Sequence, residues 1–203
     1  MRRRNWYKWA FALVSSVIAL CATPVASSAS SASSASGPTV VLTKYGLSVT
    51  LPPGWQKVTL TQAGIDKMAK YLKGASPTLY QQFVNNEATA RHFQLYAIGP
   101  LEGGTLPNLN VLVQSPQGLP SGKSFLTQAR PVMKSELQQA GLKNVTISVV
   151  HPAFGSALQA VYTLPSTSVT VTQLYISHKG HLYIVSMSPA SVVPQIESNW
   201  HWR

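Results

Sequence analysis

Tyr45-Gly46-Leu47-Ser48-Val49-Thr50-Leu51-Pro52-Pro53-Gly54-Trp55 reads as a strand that is stopped abruptly. Leu47, Val49 and Leu51 alternate with Ser48 and Thr50, so one side is apolar and the other polar, as in a half-buried strand. Two consecutive prolines cannot donate to a strand ladder, and Gly54 supplies the freedom a turn requires. Trp55 opens the next segment with a large apolar surface to bury.

Downstream, the period changes from two to about 3.6. Thr61 is placed to cap a helix running through Leu72, with Ile65, Met68, Ala69 and Leu72 on one face. Gly74–Pro77 breaks it, and Leu79, Tyr80, Phe83 and Val84 predict a second short helix. Phe93–Ile98 and Leu109–Val113 read as strands. The strongest helical pattern is Ser124–Ala140, with Phe125, Ala129, Val132, Met133, Leu137 and Ala140 near one face and Gly141 closing it. Pro131 sits inside that pattern, where a kink is expected. Four strands follow, 145–150, 157–164, 169–177 and 182–188, at hairpin spacing. Pro194 then starts a short terminal helix expected to end near Trp200 or Trp202. Strands at hairpin spacing make an antiparallel sheet, and the interrupting helices make the class α+β.

The Leu47–Trp55 stretch, in which a short strand runs into Pro-x-Gly-Trp, resembles the opening of the PsbP-like superfamily. So do the mid-chain helix Ser124–Ala140 and the meander ending in Tyr175-Ile176-Ser177-His178-Lys179-Gly180-His181-Leu182-Tyr183-Ile184. That superfamily includes photosystem extrinsic proteins, a Ran-binding nuclear protein and exported bacterial proteins. The resemblance spans residues 40–203. It implies an α/β/α sandwich around a central antiparallel sheet and a binding or accessory role. It carries over no catalytic set.

Upstream, Arg2, Arg3, Arg4 and Lys8 precede the uncharged apolar run Trp9–Ala22, and small residues follow from Val25 to Ser36. This three-part layout is that of a signal peptide, and the run is shorter than the roughly 20 residues a spanning helix needs. Arg3-Arg4-Asn5-Trp6-Tyr7-Lys8 also fits a twin-arginine pattern, so both the general secretory and the twin-arginine route stay open. Ser27-Ser28-Ala29 predicts cleavage after Ala29, with Val25-Ala26-Ser27 as a second choice. Leu20 is too bulky for the residue before a lipid-modified cysteine, so Cys21 reads as part of the signal. The expected organisation is a signal peptide over 1–29, a Ser/Ala-rich flexible segment over 30–38 and a single domain over 39–203. That predicts a secreted or envelope-associated protein with no transmembrane anchor after processing.

The chain has 16 Lys/Arg against 5 Asp/Glu. Residues 1–29 hold four of the basic residues and none of the acidic ones, which leaves +7 for residues 30–203. With Cys21 removed, thiol catalysis, disulfides and thiolate metal sites are excluded. Lys67, Lys70 and Lys73 share roughly one helix face, which suits an anionic surface or simple solvation. The basic residues are otherwise too dispersed for nucleic-acid binding. The carboxylates Asp66, Glu87, Glu102, Glu136 and Glu197 are few, and a protein with few native acid pairs loses little stability in acid. An acidic extracellular milieu is therefore expected.

Gly118-Leu119-Pro120-Ser121-Gly122-Lys123-Ser124 imitates a P-loop but has one residue too few between its glycines, and no Asp follows Asp66 to hold magnesium. Helix capping by Ser121 or Ser124 is the better reading. His178 and His181 flank the turn Lys179-Gly180 and should face each other across a hairpin, within reach of a shared metal ion, though a stable site wants three or four ligands. His92, His151 and His201 lack ligand spacing and read as structural. No nucleophile elbow is present, and a hydrolase would need Glu87 or Glu102 beside a histidine in a deep pocket. Trp55, Tyr162, Tyr175, Tyr183 and Trp200 fall where core or rim packing is expected. The sequence thus predicts an exported non-catalytic binding or accessory protein of the cell envelope. It names no catalytic, cofactor or metal residues. The expected partner is an extracytoplasmic protein or envelope component, and no nucleic acid. The alternatives are an extracellular hydrolase whose residues converge only in three dimensions, or an adhesion module held to anionic wall polymer.

Overall fold

The computed structural model describes residues 37–101, 106–165 and 169–203. The expected signal peptide, the Ser/Ala segment up to Ser36 and Glu102 lie outside these residues. Strands β1 (Thr39–Leu42) and β2 (Leu47–Thr50) are joined by a 3-10 turn at Thr43–Tyr45, and β3 is only Gln56–Lys57. Helices α1 (Gln62–Ala75), α2 (Pro77–Asn85) and α3 (Glu87–Ala90) lead to β4 (Leu95–Ile98) and β5 (Asn108–Gln114). Helix α4 (Gly122–Gln139) precedes β6 (Lys143–Val150), β7 (Ala157–Thr163), β8 (Thr170–His178) and β9 (His181–Ser188). Helix α5 (Val193–Ser198) and β10 (Trp200–Trp202) complete the order.

The larger sheet is antiparallel with order β3-β4-β5-β9-β8-β7-β6, and a smaller sheet runs β1-β2-β10. The last four strands of the larger sheet form the meander that their spacing implied. One face of this sheet carries α1, α2 and α4, through Ile65, Leu72, Phe83, Phe125, Met133 and Leu137. The other face is covered by the smaller sheet and α5, through Leu47, Val49, Trp55, Ile196 and Trp200. The central sheet is thus buried on both sides, as the α+β sandwich requires. Its second outer layer is a short sheet plus a short helix.

The apolar side of the opening stretch faces the core as its alternation implies, but the strand is not half-buried: Ser48 on the other side is buried as well, since β2 lies between β1 and β10. Leu47, Val49 and Leu51 are fully buried beneath the sandwich. Gly54, with φ 78°, makes the turn, and Trp55 enters the same core. Thr61 caps α1, its side-chain oxygen accepting from the amide of Gly64 at 3.4 Å. Pro131 does not end α4. It lies on the exposed face of a helix that stays continuous, where the carbonyl left without a donor can meet water.

The C-terminal expectation needs correction. The terminal helix ends at Ser198, and Trp200–Trp202 forms a strand paired with β2 in the register Trp200↔Val49 and Trp202↔Leu47. A strand of three residues has too few positions to show a period, and its partner is remote in sequence.

Candidate functional site

The His178–His181 hairpin joins β8 to β9. The two residues are directly paired across the ladder, and Lys179 and Gly180 at φ 48° and 78° form the two-residue turn. Their rings do different work. His178 lies flat on Trp202, with centroids 4.1 Å apart. His181 has Nδ1 2.7 Å from Ser115 Oγ and meets Tyr45 edge-on at 5.9 Å. Trp202 donates its indole N–H to the carbonyl of Phe154 at 2.7 Å, and the Tyr183 hydroxyl donates to the carbonyl of Tyr45 at 2.7 Å. The hairpin tip is thereby fastened to β10 and to the β1–β2 turn. Desolvation, then the charges of Lys179 and His181, hold the His178 imidazole below its ordinary pKa. Among the described residues no group of three or more His, Cys, Asp or Glu side chains could hold a metal ion.

The P-loop imitation also resolves into structure. Ser121 occupies the N-cap position of α4, yet its side chain makes no capping hydrogen bond. Ser124 Oγ instead accepts from Gln128 Nε2 at 2.8 Å, and Ser177 Oγ anchors the loop by donating to the carbonyl of Pro120 at 2.7 Å. Capping by Ser121 or Ser124 is therefore not how this helix begins. Gly122 at φ 52° turns the chain into the first turn without it.

Asp66 and Glu87 flank a contact between helices. Glu87 accepts from Arg91 at 2.5 Å, Arg91 also donates to Gln62 Oε1, and Gln62 Nε2 donates to Asp66 Oδ1 at 2.8 Å. The chain of contacts joins α1 to the end of α3. Glu197 is partly buried, and desolvation raises its pKa. Among the described residues Glu87 has Arg91 as its partner, in place of the histidine a hydrolase reading asked of it.

Beneath the helices, the central sheet carries a buried polar row. The Tyr175 hydroxyl donates to Gln173 Oε1 at 2.7 Å, and Gln173 Nε2 donates to Ser186 Oγ at 2.8 Å. Burial pushes the Tyr175 and Tyr96 hydroxyls far above the usual phenol range, so both stay protonated. Strand pairing places Asn110, Ser186 and Gln173 side by side on adjacent strands.

Each edge of the seven-stranded sheet has a groove against a helix. Beside β3, α1 closes a groove of about 350 Å³ lined by Lys57, Lys67, Met68, Tyr71 and Ile98. Beside β6, α4 closes one of about 590 Å³ lined by Lys123, Thr127, Arg130, Val149, His151 and Ser156. Neither lining contains a carboxylate. Lys67 thus leaves the lysine cluster to face Lys57 across a groove, while Lys73 sits 5.9 Å from the centre of the Tyr80 ring. In the α4 groove His151 Nδ1 lies 2.9 Å from Ser156 Oγ. Sequence reading treated Lys123 as part of a loop, Arg130 as scattered and His151 as structural. The spacing of Lys123, Thr127 and Arg130, at i, i+4 and i+7, was the available signal that they share a helix face.

No protein-family model matches the chain. No curated protein matches it. Among solved structures it is similar to the solution structure of cyanobacterial PsbP (CyanoP) from Synechocystis sp. PCC 6803. There the TM-score is 0.51 at 16% identity, over 87% of this chain and 98% of that one. LpqN, a protein involved in cell envelope biogenesis of Mycobacterium tuberculosis, aligns with TM-score 0.37 at 11% identity, over 78% of this chain and 82% of that one. The second likeness is too distant to argue from. The first, over nearly the full length of both chains, agrees with the Leu47–Trp55 opening, the mid-chain helix and the closing meander: this chain has the PsbP-like fold.

Proposed function

We propose that the protein is an exported, non-catalytic binding or accessory protein of the cell envelope. The observation that carries this reading is the pair of edge grooves, each lined by two permanent cations and by no carboxylate. Such a lining holds an anion. Neither groove pairs a carboxylate with a histidine. The basic n-region and apolar run of residues 1–22 support export, and the PsbP-like fold is compatible with an accessory role.

The cationic grooves also favour a second reading, adhesion to an anionic wall polymer. Pull-down of the purified protein on isolated envelope separates the two. Specific binding in the grooves survives about 0.5 M salt in part, whereas adhesion by diffuse charge is lost as screening shortens to a few ångströms. Binding of the protein to envelope at neither salt concentration overturns both readings.

A further inference from the structure

We propose that the groove between α4 and the β6–β7 connection is a binding site for a phosphate monoester with an apolar body. This rests on the binding reading above and names the ligand class of one of its two grooves. On one wall, α4 presents Lys123, Thr127 and Arg130 at successive turns. On the other, His151 and Ser156 come from the chain that links β6 to β7. The Arg130 guanidinium offers a planar fork of donors, and Lys123 offers a compact charge seven residues away on the same face. The Ser156–His151 hydrogen bond holds the imidazole in place in the groove.

The donor arrangement selects the anion. A carboxylate has two oxygens in one plane, and a single guanidinium satisfies both. A phosphate monoester carries a charge of about −1.5 to −2 and three terminal oxygens in a tetrahedral array, so it can accept from both walls together. The volume selects the rest of the ligand. About 590 Å³ of open groove leaves room well beyond a bare ion. Leu126, Pro131 and Val149 supply an apolar lining for that remainder, and Val149 is among the exposed large apolar residues of the domain.

The test is a titration of the purified protein, followed by backbone amide NMR, with phenyl phosphate, inorganic phosphate and benzoate. Phenyl phosphate is expected to bind about tenfold more tightly than either of the others, since it alone uses both walls and the apolar lining. The shifts should centre on residues 123–131 and 149–156. The K123Q/R130Q variant should lose about tenfold or more, R130K should lose less, and K57Q/K67Q in the other groove should lose nothing. These side chains are exposed, and unchanged circular dichroism checks that each variant is folded. The proposal is overturned if benzoate binds as well as phenyl phosphate, if K123Q/R130Q binds as the parent does, or if no shift appears by about 10 mM ligand. Release of phenol during the titration would support the site and overturn the non-catalytic reading, so the two can fail separately.

Discussion

The imidazole of His178 and the indole of Trp202 stack with their planes 6° from parallel, joining the end of β8 to the strand that closes the smaller sheet. Trp202 also meets Tyr183 at 5.0 Å and Trp200 at 5.8 Å, so one indole is shared by three strands. Replacing Trp202 with Ala removes these contacts and the bond to Phe154. Because Trp202 is only half-buried, the expected loss is about 2–3 kcal/mol, below the range for fully buried Trp. A lower urea midpoint with unchanged slope is the result to look for. A change in slope would mean that β10 had come away from the native state.

The same stack sets a pH response. Folding lowers the His178 pKa below its ordinary value of 6.5. Between the lowered value and about 6.5 the unfolded chain therefore holds more protons, so this contribution is complete above about pH 6.5 and is lost as pH falls through the folded value. Glu197 acts in the opposite sense. Its pKa is raised above 4.5, so its charged form disfavours the fold and protonation relieves that at low pH. H178F keeps a flat ring on Trp202 and removes the titration. Urea melts at pH 7 and pH 5 should show a loss in the parent that H178F lacks. An equal loss in both would assign the acid response elsewhere.

From pH 5 to pH 3 a small further loss is expected, a few kcal/mol at most. The Arg91–Glu87 pair is partly exposed, and such pairs contribute little when intact. Self-repulsion of an already basic chain opposes this outcome. Collapse of the midpoint at pH 3 in H178F would show that repulsion wins and that the acidic-milieu expectation fails.

In the buried polar row, Gln173 is the central member. Gln173→Leu leaves the Ser186 hydroxyl without that donor and the Tyr175 hydroxyl without that acceptor. An unsatisfied buried polar group costs about 1–3 kcal/mol, so Q173L should destabilise despite adding apolar volume. Y175F should cost less alone, and the two together should be less than additive, because they share one hydrogen bond. Strict additivity by thermal denaturation would remove the row as a coupled network.

Trp55 explains a constraint at Gly99. A Cβ built there would lie 2.8 Å from the Trp55 ring and 3.1 Å from Pro107. G99A must push a buried indole out of place, at a cost of about 1–3 kcal/mol. The G99A/W55F pair should recover part of that loss in the same denaturation assay.

Much of the architecture was legible because it rests on local periods. The alternation of Leu47, Val49 and Leu51, the 3.6 period of α4 and the spacing of the closing meander each report one element from its own residues. The pairing of His178 with His181 was legible too, since a two-residue turn fixes register. What those rings do was not, because Trp202 and Ser115 reach them from segments elsewhere in the sequence. The α4 groove was hidden for the same reason. Lys123 and Arg130 share a helix face, but His151 and Ser156 join them only after the helix folds back onto β6. Strands β1, β3 and β10 run for four, two and three residues. These segments exist by virtue of their partners.

Strand β2 meets β10 about 150 residues along the chain, and the amide of Arg203 donates to the carbonyl of Gly46 at 2.8 Å. This permits an order of assembly. The core beneath α1, α2 and α4 draws on residues 58–184, whereas the opposite core lacks Trp200 until β10 arrives. During synthesis, one face of the sheet can therefore be sealed before the other, and residues 200–202 act as the latch. A chain shortened before Asn199 should keep its far-ultraviolet dichroism, lose the near-ultraviolet signal of its packed tryptophans and bind a hydrophobic dye.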